Sequence, residues 1–327
     1  MTKQASDRAS DRASDQQMYA ITQRTLGGPE VLEWTASARP APGPGEILVR
    51  VRAAGLNPVD QAVRAGHFPL LGEPPFSLGW DAAGTVEEVG AGVTRFAAGD
   101  EVFGMPGFPQ AGNAYAEYLA APAEQFERRP EVLPVTEAGA LSLSGLTAHQ
   151  ALVGVAQVGP GERVLIHAAS GGVGHLAVQI AKARGAYVIG TARGEKHAFL
   201  KTLGADELID HTLTAFDTVL RDVDVVFDLL GGEYARRSAA VLRPDGLIVS
   251  AIGHNPGLTP EEARQLGVRF EVMSVRPSER DLAALRELVE AGLLRVNVGL
   301  TVPLADAAQA HRAATDGGVT GKLVLVP

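Results

Sequence analysis

Two rhythms of apolar and polar positions divide the chain. From residue 18 to about 134, short alternating runs are broken repeatedly by Gly and Pro; after the turn at 40–45, Ile47, Val49, Val51 and Ala53 fall on one face. A period of two marks strands buried on one side, so this part reads as half-buried antiparallel β. From 163 to 275 the pattern becomes apolar strand, helix, apolar strand. Strands predicted at 164–168, 187–192, 207–210, 223–229, 247–252 and 270–275 are almost continuously hydrophobic, as strands of a parallel sheet covered on both faces are. The helix at 173–184 carries Leu176, Ile180 and Ala183 on one face and meets Gly185 at its end, where a left-handed residue stops a helix. This alternation defines an α/β class with a doubly wound parallel sheet. An amphipathic helix at 279–291, with Leu282, Leu285, Leu288 and Val289, follows it. Two short strands flanking a helix at 305–315 then return to the first domain.

The pattern stops short at the N-terminus. Residues 1–17 repeat Ala-Ser-Asp-Arg, and Lys3, Arg8 and Arg12 cancel Asp7, Asp11 and Asp15. A neutral, disordered tail is expected, because nothing in it can be buried. The net charge of −9, from 29 basic and 38 acidic residues, therefore belongs to the body of the 327-residue chain. An acidic body without a dense Lys/Arg block argues against a nucleic-acid partner. The chain has no cysteine, which excludes disulfides, thiolate metal sites and cysteine nucleophiles. Hydrophobic residues make up 46%, yet no uninterrupted apolar run approaches the roughly 20 residues of a membrane span. A soluble cytoplasmic protein with no membrane partner is expected.

Within the second rhythm, the first strand ends at His167 and runs through Ala168-Ala169-Ser170-Gly171-Gly172-Val173-Gly174 straight into a helix. In a βαβ unit such a turn lets backbone approach a pyrophosphate, which the helix N-terminus then holds with its amides and dipole. Ser170, Gly171, Gly172 and Val173 are thus the dinucleotide-binding candidates. The end of the second strand selects the cofactor, since an acid there would bond a ribose 2′-hydroxyl and repel a 2′-phosphate. The chain has Thr191-Ala192-Arg193-Gly194-Glu195-Lys196 instead. Thr191, Arg193 and Lys196 favour NADPH. His211, after the third strand, is a candidate for the adenine side or a plain loop residue. Gly231 and Ser250 sit at carboxyl ends of strands, where doubly wound sheets bind ligands; the other reading is a turn glycine and a strand serine.

Other segments carry a resemblance. Leu78-Gly79-Trp80-Asp81-Ala82-Ala83-Gly84, Val86-Glu87-Glu88-Val89-Gly90, Gly99-Asp100-Glu101-Val102 and Leu146-Thr147-Ala148 resemble the medium-chain dehydrogenase/reductase superfamily over roughly 18–327. The resemblance implies a Rossmann domain inserted in a GroES-like, mainly antiparallel β catalytic domain. The boundaries expected are a tail at 1–17, a catalytic domain at 18–140 plus 279–327, and an NADPH-binding domain at 141–278. Zinc-dependent members carry Gly-His-Glu where this chain has Gly79-Trp80-Asp81, and a ligand cysteine where it has Asn57. No metal is expected, with Trp80 filling the vacated place. Asn57-Pro58-Val59-Asp60 and Arg64-Ala65-Gly66-His67-Phe68-Pro69 look like the zinc-free quinone oxidoreductase branch, the zeta-crystallin-like proteins. Some of these carry tyrosine where this chain has Ala62 and Phe68.

The resemblance implies that Asn57 contacts the nicotinamide ribose or polarises an acceptor oxygen, and that Thr147 lies against the nicotinamide. Asn57 is alternatively a turn residue before Pro58. Asp60 reads as structural, bonding backbone or Arg64, while Phe68 and Tyr115 line the acceptor cleft or pack the core. Reducing an isolated ketone concentrates charge on one oxygen and calls for a Lewis acid or proton donor. Quinones and conjugated carbonyls delocalise that charge. The expected activity is therefore NADPH-dependent, zinc-independent hydride transfer to quinones or related conjugated carbonyls. Enone or alkenal double-bond reduction, and a non-catalytic NADPH-binding sensor or structural protein, are the alternatives. The resemblance also implies a homodimer.

Overall fold

The structure, a computed structural model, describes residues 17–327. Residues 1–16 of the expected tail lie outside the described residues. Gln17 does not belong to a tail: it opens the strand Gln17–Gln23 and pairs with Ala38 of the strand Leu32–Ala38.

Six parallel strands form one sheet in the spatial order Glu207–Asp210, Tyr187–Ala192, Arg163–Ile166, Val223–Asp228, Leu242–Ser250, Arg269–Val272. Numbered along the chain, this is the 3-2-1-4-5-6 order of a doubly wound sheet, whose ligands lie beyond the carboxyl ends at the point where the order reverses. Val164, Leu165, Ile166, Val188, Ile189, Val226 and Phe227 are all buried, as the continuous apolar runs require. Leu242–Ser250 begins five residues before the predicted strand because its first half, around Pro244 and Asp245, is exposed and carries no apolar signal. The edge strand Arg269–Val272 buries only Phe270, and chain direction changes before the apolar run ends. The helix Gly174–Ala183 is buried around most of its circumference, since the helix Ser142–His149 covers the side that the sheet does not.

The second sheet holds Val298–Pro303, Lys322–Val326, Glu46–Leu56, Ala82–Val89, Glu101–Gly104 and Phe126–Arg128 in that order, with Tyr118–Pro122 also on Glu46–Leu56. It is antiparallel apart from its first pair. The last strand does return to the first part of the chain. Leu323 pairs with Leu56, Val324 with Gly55 and Leu325 with Ala54, which brings Lys322 beside Asn57. The helix Glu279–Glu290 buries Leu282 and Leu285 between the strand Phe126–Arg128 and the helix Ser142–His149.

Between the sheets the C-terminal segment is tied to the dinucleotide turn. Gly321 donates its amide to the Ser170 carbonyl (2.9 Å) and Lys322 to that of Asn297 (2.9 Å). Asn297 in turn donates to His175 Nε2 at 3.1 Å. The turn itself opens with Ala168 at φ +47, a left-handed conformation that a non-glycine residue holds only where its surroundings enforce it. It closes at Gly174, where a Cβ would stand 2.3 Å from the Ala168 carbonyl oxygen and 2.7 Å from the Ala169 Cα. Backbone on both sides cannot yield there. Gly174→Ala should destabilise the protein by about 1–3 kcal/mol, read as a lower urea midpoint. Gly154→Ala, whose Cβ would enter open space, should leave the midpoint unchanged or raise it.

Candidate active site

The helix Pro58–Ala65 starts at Asn57, where the chain leaves the strand Glu46–Leu56. Proline at the first helical position is preorganised for the turn, and Asp60 fixes it by accepting the Asn57 amide at 2.8 Å. The Asn57 side chain points into the protein, 1% exposed. Its Nδ2 donates to Asp81 Oδ2 at 2.9 Å and more weakly to the Gly55 carbonyl at 3.4 Å. Its Oδ1 accepts from Lys322 Nζ and lies 3.4 Å from Ser144 Oγ. Both ends of the amide are thereby taken, so Asn57 anchors its neighbours and has no donor or acceptor left to polarise a bound molecule.

At the centre of this group is Lys322, 2% exposed, against a wholly buried Asp81. Besides Asn57, its ammonium donates to Asp81 Oδ2 at 3.1 Å and Ser144 Oγ at 3.0 Å. Asp81 also accepts the Leu143 amide through Oδ1. Its seat depends on Gly55, where a Cβ would come within 2.7 Å of the carboxylate. A charged pair so deeply buried survives only when every remaining proton and lone pair finds a partner, and this one is so arranged. Neither Lys322 nor Ser144 was singled out by sequence. The available signal was a lone cation heading the fully apolar run Leu323-Val324-Leu325-Val326.

These groups do not fit a zinc ion. The chain has no cysteine, and among the described residues no three His, Cys, Asp or Glu side chains are placed to hold a metal. Trp80 is fully buried, with Nε1 donating to the Gln110 carbonyl at 2.6 Å.

Behind Asn57 lies a second buried polar group. Asp60 accepts the Gly79 amide at 3.0 Å, and burial, reinforced by nearby Asp81, pushes its carboxyl up to about 7. The backbone half of the structural reading for Asp60 holds. The Arg64 half does not, because Arg64 bonds the Gly27 carbonyl and His311 Nδ1 (3.0 Å). Tyr115 is fully buried, its ring edge-on to His311 at 5.9 Å. Its hydroxyl lies beside the Asp60 carboxyl without a well-formed hydrogen bond. Tyr115 therefore packs the core behind the site and does not line a cleft. Phe68 is half-buried against the same core. Thr147 is buried, and its hydroxyl donates to the Leu143 carbonyl one turn back, at 2.7 Å.

On the dinucleotide side, Ser170, Gly171, Gly172 and Val173 are each partly exposed at the carboxyl end of the first strand. The Gly171 amide is spent on the Ala168 carbonyl (2.9 Å) and the His175 amide on that of Gly171 (3.1 Å), so the donors that the turn can offer a ligand where the sheet order reverses are those of Gly172 and Val173. Gly172 faces the other group: a Cβ there would lie 3.0 Å from Lys322 Cδ. Arg193 is exposed, and Lys196 reaches the Gly318 carbonyl at 3.1 Å. Thr191 is turned away from them. It is 2% exposed, with its hydroxyl 3.2 Å from His167 Nδ1, which puts it in the core rather than at a 2′-phosphate. His211 is exposed in the turn after Glu207–Asp210. Ser250 and Gly231 are brought together by the buried Asp228, which accepts the Ser250 hydroxyl at 3.1 Å and the Gly231 amide at 3.0 Å. That use of the hydroxyl makes Ser250 a brace between strand ends. The loop 253–260 is held to the same turn by the Gly232 amide on the Asn255 carbonyl, 2.9 Å. An open cavity of about 280 Å³ lined by Phe108, Glu124, Gln125, Pro277 and Glu279 contains none of these groups.

Fold and site together define a dinucleotide-type oxidoreductase, and comparison with known proteins gives its family. Residues 43–131 match the family model for the alcohol dehydrogenase GroES-like domain, and 203–325 the one for zinc-binding dehydrogenases. A 2-haloacrylate reductase of Burkholderia sp is 37% identical, over 92% of this chain and 96% of that protein. The structure of a Coxiella burnetii quinone oxidoreductase superposes with a TM-score of 0.90 at 37% identity, covering 95% of this chain and 99% of that one. The Escherichia coli quinone oxidoreductase complexed with NADPH superposes at 0.87, with 31% identity, 94% of this chain and 100% of that one. The chain belongs to the medium-chain dehydrogenase/reductase superfamily. Within it the chain falls in the quinone oxidoreductase branch, and it is an oxidoreductase enzyme. Among the described residues, no helix is long and apolar enough to cross a membrane.

The buried titratable groups set the acid response of the fold. Burial holds His167 and His311 down at about 3 and His175 at about 4, against an ordinary 6.5. The unfolded chain binds three protons that the fold refuses, so stability falls as pH drops from about 6.5 toward 4. Asp60 acts the other way. It keeps its proton up to about 7 against an ordinary 3.8, so its contribution is full below 3.8 and fades as pH rises through 7. Three groups outweigh one, and stability should rise from pH 4.5 to 6.5. Asp60→Asn should steepen that rise; urea midpoints at pH 4.5, 5.5 and 6.5 test both, and a shallower slope in the variant contradicts the assignment.

Proposed function

We propose that this enzyme transfers a hydride from NADPH to quinones or related conjugated carbonyls without a metal ion. The observation that carries this reading is the closed set of hydrogen bonds among Asn57, Asp81, Ser144 and Lys322 beside the dinucleotide turn. Groups already bonded to each other make a rigid, polar wall and leave no obvious donor for an isolated alkoxide. An acceptor that spreads the incoming charge over a conjugated system needs least from such a wall.

The residues suit the cofactor. The amides of Gly172 and Val173 would hold the pyrophosphate, while Arg193 and Lys196 would meet a 2′-phosphate with charge-assisted hydrogen bonds. The NADPH complex of the Escherichia coli relative supports this choice. When bound, NADPH supplies the hydride. The chain would supply position: Thr147, Asn57 and the dinucleotide turn would bound the space in which nicotinamide and acceptor meet, and catalysis would be chiefly proximity. Residues 18–140 with 279–327 would form the catalytic unit and 141–278 the cofactor unit. The homodimer implied by the family is retained in this proposal.

Reduction of a conjugated carbon–carbon double bond is the second reading, favoured by the likeness to a 2-haloacrylate reductase. It needs the same hydride geometry. NADPH oxidation against quinones, enones, alkenals and simple ketones, with products identified, tests both. Hydroquinone products support the first reading and saturated carbonyl products the second; fast turnover of a simple ketone contradicts both. Arg193→Ala should weaken NADPH binding roughly fivefold to thirtyfold, as losing a charge-assisted contact of ~1–2 kcal/mol does. NADH binding should not change. Equal losses in titrations of the two cofactors would remove Arg193 as the selector.

A further inference from the structure

We propose that Lys322 is the resident cation of this site. Its ammonium, held between Asn57, Asp81 and Ser144, lowers the barrier to hydride transfer by stabilising negative charge as it builds on the acceptor. The inference rests on the hydride-transfer reading above and names the residue that reading lacks.

The placement is specific. Lys322 Nζ bonds both Asn57, at the start of the helix Pro58–Ala65, and Asp81, just before the strand Ala82–Val89. Ser144 completes its three partners. Ser144 and Thr147 are three residues apart on the helix Ser142–His149, hence neighbours on one face. On the other side the stem of Lys322 crosses the dinucleotide turn, close enough that any side chain at Gly172 would strike it. The cation therefore lies between the helix that carries Thr147 and the loop that would hold the cofactor.

Stability alone is a poor reason for this arrangement. A buried ion pair gains little over apolar packing, and the opening residue of an apolar strand could as well be apolar. What a buried, fully bonded ammonium does supply is a field that needs no reorganisation when charge appears, in surroundings that screen it weakly. The carboxylate is drawn toward the Leu143 amide and the Asn57 amide as well as the ammonium, which spreads the anion over three donors. The chemistry balances without a metal. The acceptor gains two electrons and one proton as a hydride from NADPH, which leaves as NADP⁺; the oxygen anion so formed takes its proton from water, and Lys322 keeps its own. Lys322 acts here through space and through Asn57 and Ser144, as a positioning and electrostatic residue.

The test is a series of substituted 1,4-benzoquinones whose hydroquinones differ in basicity, with kcat/KM measured for the wild type, Lys322→Met and Lys322→Arg. NADPH dissociation constants from fluorescence titration and thermal midpoints are recorded for each. Stabilisation of product-like charge matters more as the product anion becomes more basic. Lys322→Met should lose roughly tenfold on the least basic acceptor and a hundredfold on the most basic. NADPH affinity should change little, and Lys322→Arg should recover most of the loss. Should Lys322→Met fail to fold, the double variant Lys322→Gln with Asp81→Asn, which removes both charges of the buried pair together, is measured in its place. A loss uniform along the series, or none, overturns the role of Lys322 alone. No turnover by the wild type overturns the hydride-transfer reading and this inference with it.

Discussion

The ion pair of Lys322 and Asp81 is the constraint on which the two halves of this protein depend. Lys322 opens the last strand, Asp81 precedes the strand Ala82–Val89, and the two can meet only because Lys322–Val326 is paired to Glu46–Leu56. The carboxylate fits because residue 55 is glycine, and the ammonium is satisfied because Asn57 and Ser144 turn their oxygens toward it. Removing one partner would leave an uncompensated charge in the interior, which is strongly destabilising. The same strand is bonded through Gly321 to Ser170. Folding of the mainly antiparallel sheet thus fixes the position of the dinucleotide turn.

The two sides of the site are built by different physics. On the dinucleotide side, backbone does the work: a left-handed Ala168 and a close approach at Gly174. Side chains there brace the backbone from within. His167 joins Thr191 and Ser238 (2.9 Å), and Asp228 joins Ser250 to Gly231. On the catalytic side it is buried side chains that carry charge, and they are closed on one another. A site of that kind orients and stabilises; it has little with which to take or give protons, and this suits acceptors that need no strong acid.

The parallel sheet was legible because strands covered on both faces write themselves as unbroken apolar runs, and the glycines at 171, 172 and 174 mark the turn that follows. The buried role of Thr191 was not, and for Ser250 and Tyr115 the sequence left a structural and a ligand-facing reading open, between which the structure chooses the structural one. Each sits in a segment that does lie near the site, but alternation along a strand or a turn of φ directs its side chain into the core. Lys322 was missed because its partners come from residues 57, 81 and 144, and such an arrangement leaves no spacing in the sequence. Gln17 was assigned to the tail because one polar residue cannot signal an edge strand.

The central claim is that this site carries its own cation and works without a metal. Zinc content of the purified protein by mass spectrometry, together with turnover of a quinone before and after exhaustive chelation, tests it most directly. The account predicts far less than one zinc per chain and the same turnover after chelation. One zinc per chain, with activity lost on its removal and restored by its return, would contradict it.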